Sequence, residues 1–176
     1  SWVWARVDDV GSIDLGRQRS PKYHDGPNMK PYLRVANVFE DRIDTADVKT
    51  MHFEPDAFER FKLKPGELLL NEGQTPELLG RPAIYQGEPP NVAFTNSLIR
   101  FRSRDGIVPG WALIVFRHYM RSGRFTRESR ITTNIAHLSV NRLKTIEFPV
   151  PPTAEQQRVV AEVDRQLSFI EAGERA

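Results

Sequence analysis

The chain has 176 residues, 39% of them hydrophobic, with ten Phe, four Tyr and three Trp, enough apolar material to bury a core and too much for a disordered chain. It contains no cysteine, which excludes disulfide scaffolds and thiolate metal sites and suits a reducing, cytoplasmic setting. The net charge of +2 is unevenly spread: residues 153–176 carry three basic and five acidic side chains, so the first 152 residues hold the positive excess.

No run of about 18 apolar residues is present and the opening SWVWARVDDV lacks a secretory core, so neither a membrane span nor a leader is expected. The chain does not begin with Met and is expected to be part of a longer one. Thirteen Pro and eleven Gly favour short strands and loops over a helical bundle. In chain order, Trp2–Trp4, Tyr32–Val35 and residues 67–70, 82–85 and 92–101 form short apolar or alternating runs between Gly, Pro, Asn and Asp, the pattern of β-strands. Phe53, Ala57 and Phe61 stand four apart and predict one or two helical turns. After Pro109-Gly110, the residues Trp111, Ile114, Val115, Tyr119 and Met120 share one helical face that Ser122-Gly123 closes. Residues 131–134 (ITTN) read as a polar loop, and residues 135–140 and 143–150 as strand candidates.

Pro149-Val150-Pro151-Pro152 marks a boundary, because proline removes backbone donors and resists helix. It divides the chain into a unit of residues 1–150 and a hinge plus helix over 151–176. Thr153 and Gln156 are spaced as a capping box opening that helix. Val160, Val163, Leu167 and Ile170 then follow three-four-three spacing, a narrow seam that pairs with another helix or packs on its own domain. The expected fold class is α+β: a mixed, strand-rich domain with a few helices, followed by a C-terminal helix of coiled-coil type.

Basic residues cluster in two stretches. Residues 16–34 hold Arg17, Arg19, Lys22, Lys30 and Arg34 against Asp25 alone, and residues 116–134 hold Arg117, Arg121, Arg124, Arg127 and Arg130 against Glu128 alone. Between them, residues 40–59 carry seven acids and two bases, and are expected to face away from a polyanion or toward a partner. Such polarity suits a phosphate-binding face, and equally an ordinary solvated surface.

Enzymatic motifs are missing. Neither Gly73 nor Gly80 opens a P-loop, no Gly-x-Ser-x-Gly occurs, and the histidines at 24, 52, 118 and 137 form no zinc pair. Asp56, Glu59 and Lys62 have the wrong spacing for a nuclease metal site, and Asn91 follows Pro89-Pro90 rather than preceding them as an amino-methyltransferase motif requires. No catalytic residue, metal site or cofactor is assigned.

Several segments in fixed order carry a resemblance. Trp4 with Val7-Asp8-Asp9-Val10-Gly11, residues 31–38 (PYLRVANV), 63–73 (LKPGELLLNEG), 79–84 (LGRPAI), and the close over 138–160 with its PVPPTAEQQ run are similar to a recognition domain of type I restriction–modification specificity subunits. Glu67 stands where Asp is common in that family, a minor departure. The resemblance spans nearly the whole chain. It implies a non-catalytic subunit built from two such domains, each followed by a long helix; the helices pair antiparallel and space two half-sites of a split DNA target. Modification subunits would bind S-adenosylmethionine and methylate adenine, and restriction subunits would cleave. This chain would supply one recognition domain and the start of one spacer helix, pairing with a second recognition domain in the same subunit or by dimerisation.

Double-stranded DNA contacts are expected from loops that join cations to amides and hydroxyls. Three segments qualify: residues 17–23 with Arg17, Gln18, Arg19, Lys22 and Tyr23; residues 71–81 with Asn71, Gln74, Thr75 and Arg81; and residues 124–134 with Arg124, Arg127, Arg130, Thr132, Thr133 and Asn134. Arg34 is a further candidate, pointing toward DNA or toward solvent. Tyr32, Leu33, Val35 and the tryptophans are assigned to the core. The rival readings are a protein-interaction module docking through its helix, the recognition domain of a fused restriction–methyltransferase, and an RNA-binding module, which would need an aromatic sheet platform.

Overall fold

The structure, a computed structural model, describes residues 1–175. The chain opens with β1 (Val3–Arg6), the single turn α1 (Val7–Val10) and β2 (Gly11–Leu15), followed by β3 (Met29–Leu33), the two-residue strands β4 (Val38–Phe39) and β5 (Arg42–Ile43), and β6 (Lys49–His52). Next come α2 (Pro55–Phe61), β7 (Leu68–Asn71), β8 (Gly73–Gln74), β9 (Pro82–Ile84), β10 (Ala93–Phe94) and β11 (Leu98–Ser103). The last third is mostly helical: α3 (Pro109–Arg121), α4 (Arg124–Arg127), the hairpin β12 (Arg130–Thr132) and β13 (Ile135–His137), α5 (Val140–Thr145), β14 (Glu147–Val150) and α6 (Thr153–Glu174). The fold is mixed α+β and strand-rich, ending in one long helix, as the sequence predicts.

A four-stranded antiparallel sheet in the order β2-β11-β7-β9 is the spine. Of its inner strands β7 opens as a continuous apolar run, Leu68-Leu69-Leu70, because both of its faces are covered, and strand alternation divides β7 and β11 between two cores. Leu68 and Leu70 of β7, with Ile99 and Phe101 of β11, face α3, where Phe101 meets Phe116 edge-on at 5.0 Å between ring centres. Leu69 and Leu98 face the opposite way, onto Leu33, Phe94 and Tyr85. Gly11 is required where β2 crosses this core, since a Cβ there would lie 2.2 Å from the Phe101 ring. Arg100 is buried and satisfied by charge: its guanidinium reaches Asp14 at 3.2 Å and Glu67 at 3.6 Å. Glu67 also accepts from Arg102 Nε at 2.6 Å and from the Lys64 amide, so the longer carboxylate at this position closes its own turn and meets both arginines.

Several local expectations are corrected. The strand predicted through Val35 ends at Leu33, and residues 35–37 form a 3-10 turn in which Asn37 is buried, its amide donating to the carbonyls of Asp44 and Asp47 at 3.0 Å each. Trp2 and Trp4 are exposed rather than core; of the tryptophans only Trp111 is buried, with its indole N–H donating to the Pro149 carbonyl at 2.9 Å. Phe116, rather than Ile114, completes the buried face of α3. Residues 131–134 belong to a β-hairpin, and residues 140–145 are helical.

The start of α6 also differs from its expected capping box. Thr153 is already helical, and its hydroxyl donates to the Gly106 carbonyl. Gln156, wholly buried, accepts from the Val108 amide at 2.9 Å and donates to the carbonyls of Gly106 and Pro151. The side chains thus fasten the helix to the domain instead of capping its own backbone. The seam divides accordingly: Val160 packs against α3 at Gly110, whereas Leu167 and Ile170, with Phe169 beside them, are exposed. Among the described residues no helix is long and apolar enough to cross a membrane.

Candidate nucleic-acid interface

The sheet topology gathers the candidate loops. β2 and β7 both run antiparallel to β11, so both end beside its first residues, with Leu15 opposite Ile99 and Asn71 opposite Leu98. Residues 17–23 and 71–81 therefore leave the sheet at the same end. The segment Thr95–Asn96–Ser97 joins them: the Asn96 amide donates to the Arg17 carbonyl at 3.0 Å, and the Glu72 amide to the Ser97 carbonyl at 3.0 Å. The third segment arrives by strand pairing, since β13 adds to β8 with Ala136 opposite Gln74 and His137 opposite Gly73. The Leu138 amide donates to the Glu72 carbonyl at 2.8 Å, and Thr126 Oγ1 donates to the Pro76 carbonyl at 2.8 Å. Three segments remote in sequence thus form one polar end of the molecule.

Not every candidate residue reaches that surface. Arg17 is buried: its guanidinium lies 3.7 Å from the centre of the Tyr23 ring and 4.4 Å from that of Phe53, and it donates to the His52 carbonyl and the Glu54 carboxylate. Arg17 is therefore spent inside the loop, a correction to its assignment as a contact, whereas Tyr23 packs on it and stays half-exposed. Asn71 is fully buried and out of reach of any ligand. Arg34 is clasped by Asp47 at 2.6 Å, and Arg124 by Glu147 and Glu128 at 2.7 Å each, so both are structural ties. Arg81 lies half-buried over the Phe39 ring at 4.8 Å, where loss of water depresses its pKa.

These pairings also revise the charge map. The acidic stretch does not face away as a block. Glu40 pairs with Arg121, Asp41 with Arg117, Asp47 with Arg34 and Glu54 with Arg17, so its carboxylates neutralise four of the ten cations of the two basic stretches. The exposed cations left at the polar end are Arg19, Lys22, Arg127 and Arg130, accompanied by exposed Gln18, Thr132, Thr133 and Asn134 and by half-buried Gln74 and Thr75.

The hairpin tip is held in an unusual conformation. Thr133 has φ of +57°, a left-handed geometry that costs a β-branched residue on the order of 1–2 kcal/mol. A two-residue hairpin turn calls for positive φ at its first position, so the strain belongs to the turn that presents Thr133 and Asn134. Ion pairing brackets the hairpin's approach: Arg124 holds the Glu147 carboxyl down at a pKa of about 2, while burial pushes the Tyr119 phenol, which donates to the Glu147 carbonyl, up to about 12.

Residue-level reading of the sequence missed Asn96, Arg142 and His137. Asn96 and Ser97 bridge the loops only through long-range pairing. Arg142 lies outside both basic stretches, yet its guanidinium is anchored on the Glu128 carbonyl beside the hairpin. The local cue was Ser139, whose side chain accepts from the Arg142 amide and starts α5 one turn after the hairpin.

No family model matches the chain. Among curated proteins it is 23% identical over 131 residues to the putative type I restriction enzyme MjaX specificity subunit of Methanocaldococcus jannaschii, a match covering 73% of this chain and 31% of that one. It is 22% identical over 147 residues to the type I restriction enzyme EcoKI specificity subunit of Escherichia coli K12, covering 82% of this chain and 32% of that one. The chain thus spans less than a third of the length of these relatives. Among solved structures, the HsdS subunit of Thermoanaerobacter tengcongensis superposes with a TM-score of 0.70 at 21% identity, over 99% of this chain and 39% of that one. The type I restriction–modification S subunit from M. genitalium superposes with a TM-score of 0.57 at 13% identity, over 98% of this chain and 41% of that one. The chain is therefore similar in sequence to type I restriction enzyme specificity subunits, and over nearly its whole length it has the fold of the matching part of an HsdS subunit.

Proposed function

We propose that the chain is a DNA-reading unit of a type I restriction–modification specificity subunit. Residues 1–150 grip one half-site of a duplex target through the polar sheet end, and residues 151–176 begin the spacer helix. The observation that carries this reading is the convergence of three remote loops on one end of the spine sheet. Among the described residues Arg19, Lys22, Arg127 and Arg130 there form no ion pair, while Arg17, Arg34, Arg117, Arg121 and Arg124 are held by carboxylates. Cations of this kind hold phosphates and set register, whereas Gln18, Gln74, Thr132 and Asn134 have the donor and acceptor pairs that distinguish base edges.

Chemistry would be left to partners: methyltransferase subunits that modify adenine, and a restriction subunit that cleaves, assembled in the cytoplasm. The exposed Leu167, Phe169 and Ile170 support pairing of the distal α6 with the helix of a second recognition unit, in the same subunit or in another copy. A protein-interaction role for α6 is thus part of the same reading.

The test is exchange. Replacing residues 1–150 with the corresponding unit of a related subunit should change one half of the bipartite motif methylated in the host genome and leave the other half unaltered. An unchanged methylation motif would overturn the proposal.

A further inference from the structure

Behind the hairpin lies a cleft of about 260 Å³ lined by Arg130, His137, Ser139 and Arg142. That is several times the roughly 30 Å³ that one water occupies. Arg130 and His137 are direct cross-strand partners, which places their side chains on one face of the hairpin at typically about 5 Å between Cβ atoms. Two cations and an imidazole therefore look into the same space, and among the described residues no carboxylate pairs with either arginine.

Each group is positioned as if for an acceptor that is not protein. Arg142 spends Nη1 on the Glu128 carbonyl at 2.8 Å, which fixes the guanidinium and leaves its remaining N–H groups to the cleft. Ser139 Oγ accepts from the Arg142 amide at 3.2 Å, so its own hydrogen stays available for donation. His137 is held from behind: its Nδ1 lies 3.4 Å from the Glu72 carboxylate and its ring sits over Gly73, where a Cβ would approach to 3.0 Å. Nε2 is the ring nitrogen left over. The Glu128 carboxylate, which could have neutralised Arg142, is taken by Arg124 at 2.7 Å. Two guanidinium groups without a carboxylate partner among the described residues, with a hydroxyl between them, suit a compact oxyanion with several oxygens.

We infer that this cleft is a phosphate-binding site that seats one backbone phosphodiester of the duplex and thereby fixes the register of the hairpin tip, Thr132–Asn134, on the bases. The inference rests on the DNA-reading function proposed above and adds residues and a ligand class to it. Arg142, Ser139 and His137 act on every sequence alike, and the tip then discriminates between sequences.

The experiment uses the complete subunit carrying this chain, assembled with its partners, and follows duplex binding against salt concentration. Arg130→Gln and Arg142→Gln should each weaken target and unrelated duplex by the same factor, about five- to tenfold. The slope of log K against log salt should also become shallower, by about 0.9 when both are replaced together, the release expected for one phosphate, and by part of that in each single variant. Arg142→Lys should keep most of the slope. A scan of single methylphosphonate replacements should find one position whose penalty in the parent disappears in Arg142→Gln. Among the described residues the Arg130 side chain makes no hydrogen bond or ion pair, so its variant reads the site even if loss of the Glu128 tie disturbs Arg142→Gln. If the parent binds its target selectively but both glutamine variants keep its salt slope, the phosphate site is wrong and the DNA-reading function stands. If the parent shows no preference for any duplex, the function itself fails and the site with it. Titration with inorganic phosphate separates a free anion from a backbone one: saturation that leaves DNA binding undisturbed would overturn the assignment to a phosphodiester.

Discussion

Gln156 Oε1 accepts the Val108 amide at 2.9 Å, across a gap of 48 residues, and so ties the first turn of α6 to the start of α3. Its Nε2 serves the carbonyls of Gly106 and Pro151, so every polar atom of this buried side chain is used. The consequence is mechanical. A helix that follows a run of prolines would otherwise swing, and here it leaves the domain in one direction.

Gln156→Ala should therefore do more than remove a surface polar group. It strands the Val108 amide and the buried Pro151 carbonyl, at about 1–3 kcal/mol for each group left without a partner, while the Gly106 carbonyl keeps the Thr153 hydroxyl. Urea unfolding should show a loss of about 3 kcal/mol, and amide exchange at Val108 should accelerate. Unfolding within 0.5 kcal/mol of the parent would mean that the tie is dispensable.

Gly110 and Val160 form a second fastening. A Cβ on Gly110 would lie 2.8 Å from Val160 Cγ1, and the stiff valine cannot rotate away cheaply. Gly110→Ala should destabilise by about 1–2 kcal/mol, since overpacking outweighs the gain in helix propensity. The double variant with Val160→Ala should recover most of that loss in a thermodynamic cycle. Additive losses would place the clash elsewhere.

Arg17 and Arg19 stand two residues apart and should behave oppositely. Arg17→Ala empties the space between Tyr23 and Phe53 and removes two hydrogen bonds, so a loss of about 2–3 kcal/mol in folding stability is expected. Exposed Arg19→Ala should leave melting unchanged within about 0.5 kcal/mol and weaken duplex binding instead. Thermal melts and binding isotherms on the same samples distinguish the two.

This pair also shows how far the sequence could be read. Strands and the α3 face were legible because burial imposes apolar runs of fixed period, and β7 writes its two-sided burial directly as Leu68-Leu69-Leu70. The long C-terminal helix was legible from its prolines and seam. The destination of each arginine was not. Arg17 and Arg19 have the same chemistry, and only the fold brings Glu54, Tyr23 and Phe53 to one of them. The hairpin was hidden for a related reason: its first strand is exposed throughout, so residues 130–132 show no apolar alternation to report. The bridge through Thr95–Ser97 rests on long-range backbone pairing, which no local pattern encodes.

Acid should weaken the fold through Glu147. Arg124 holds this carboxyl at about 2, below the ordinary value of 4.5. A depressed folded pKa contributes stability that is complete above about 4.5 and is lost as pH falls toward 2. Because Glu147 is half-exposed, solvent screening reduces the contribution to about 1 kcal/mol. Glu147→Gln should flatten the pH dependence of the melting temperature between pH 4.5 and about 2 while lowering it at pH 7. An equally steep acid loss in the variant would assign that loss to other carboxylates.

The most direct measurement compares the affinity of the assembled subunit for its target duplex with that for a scrambled duplex, before and after Gln74, Thr132 and Asn134 are replaced together by Ala. These side chains reach the polar end from two of the three converging loops and carry no net charge. The expected result is a preference for target that falls by at least tenfold, with affinity for the scrambled duplex and the melting temperature unchanged. A preference that survives the triple replacement intact would contradict sequence reading at this end of the sheet.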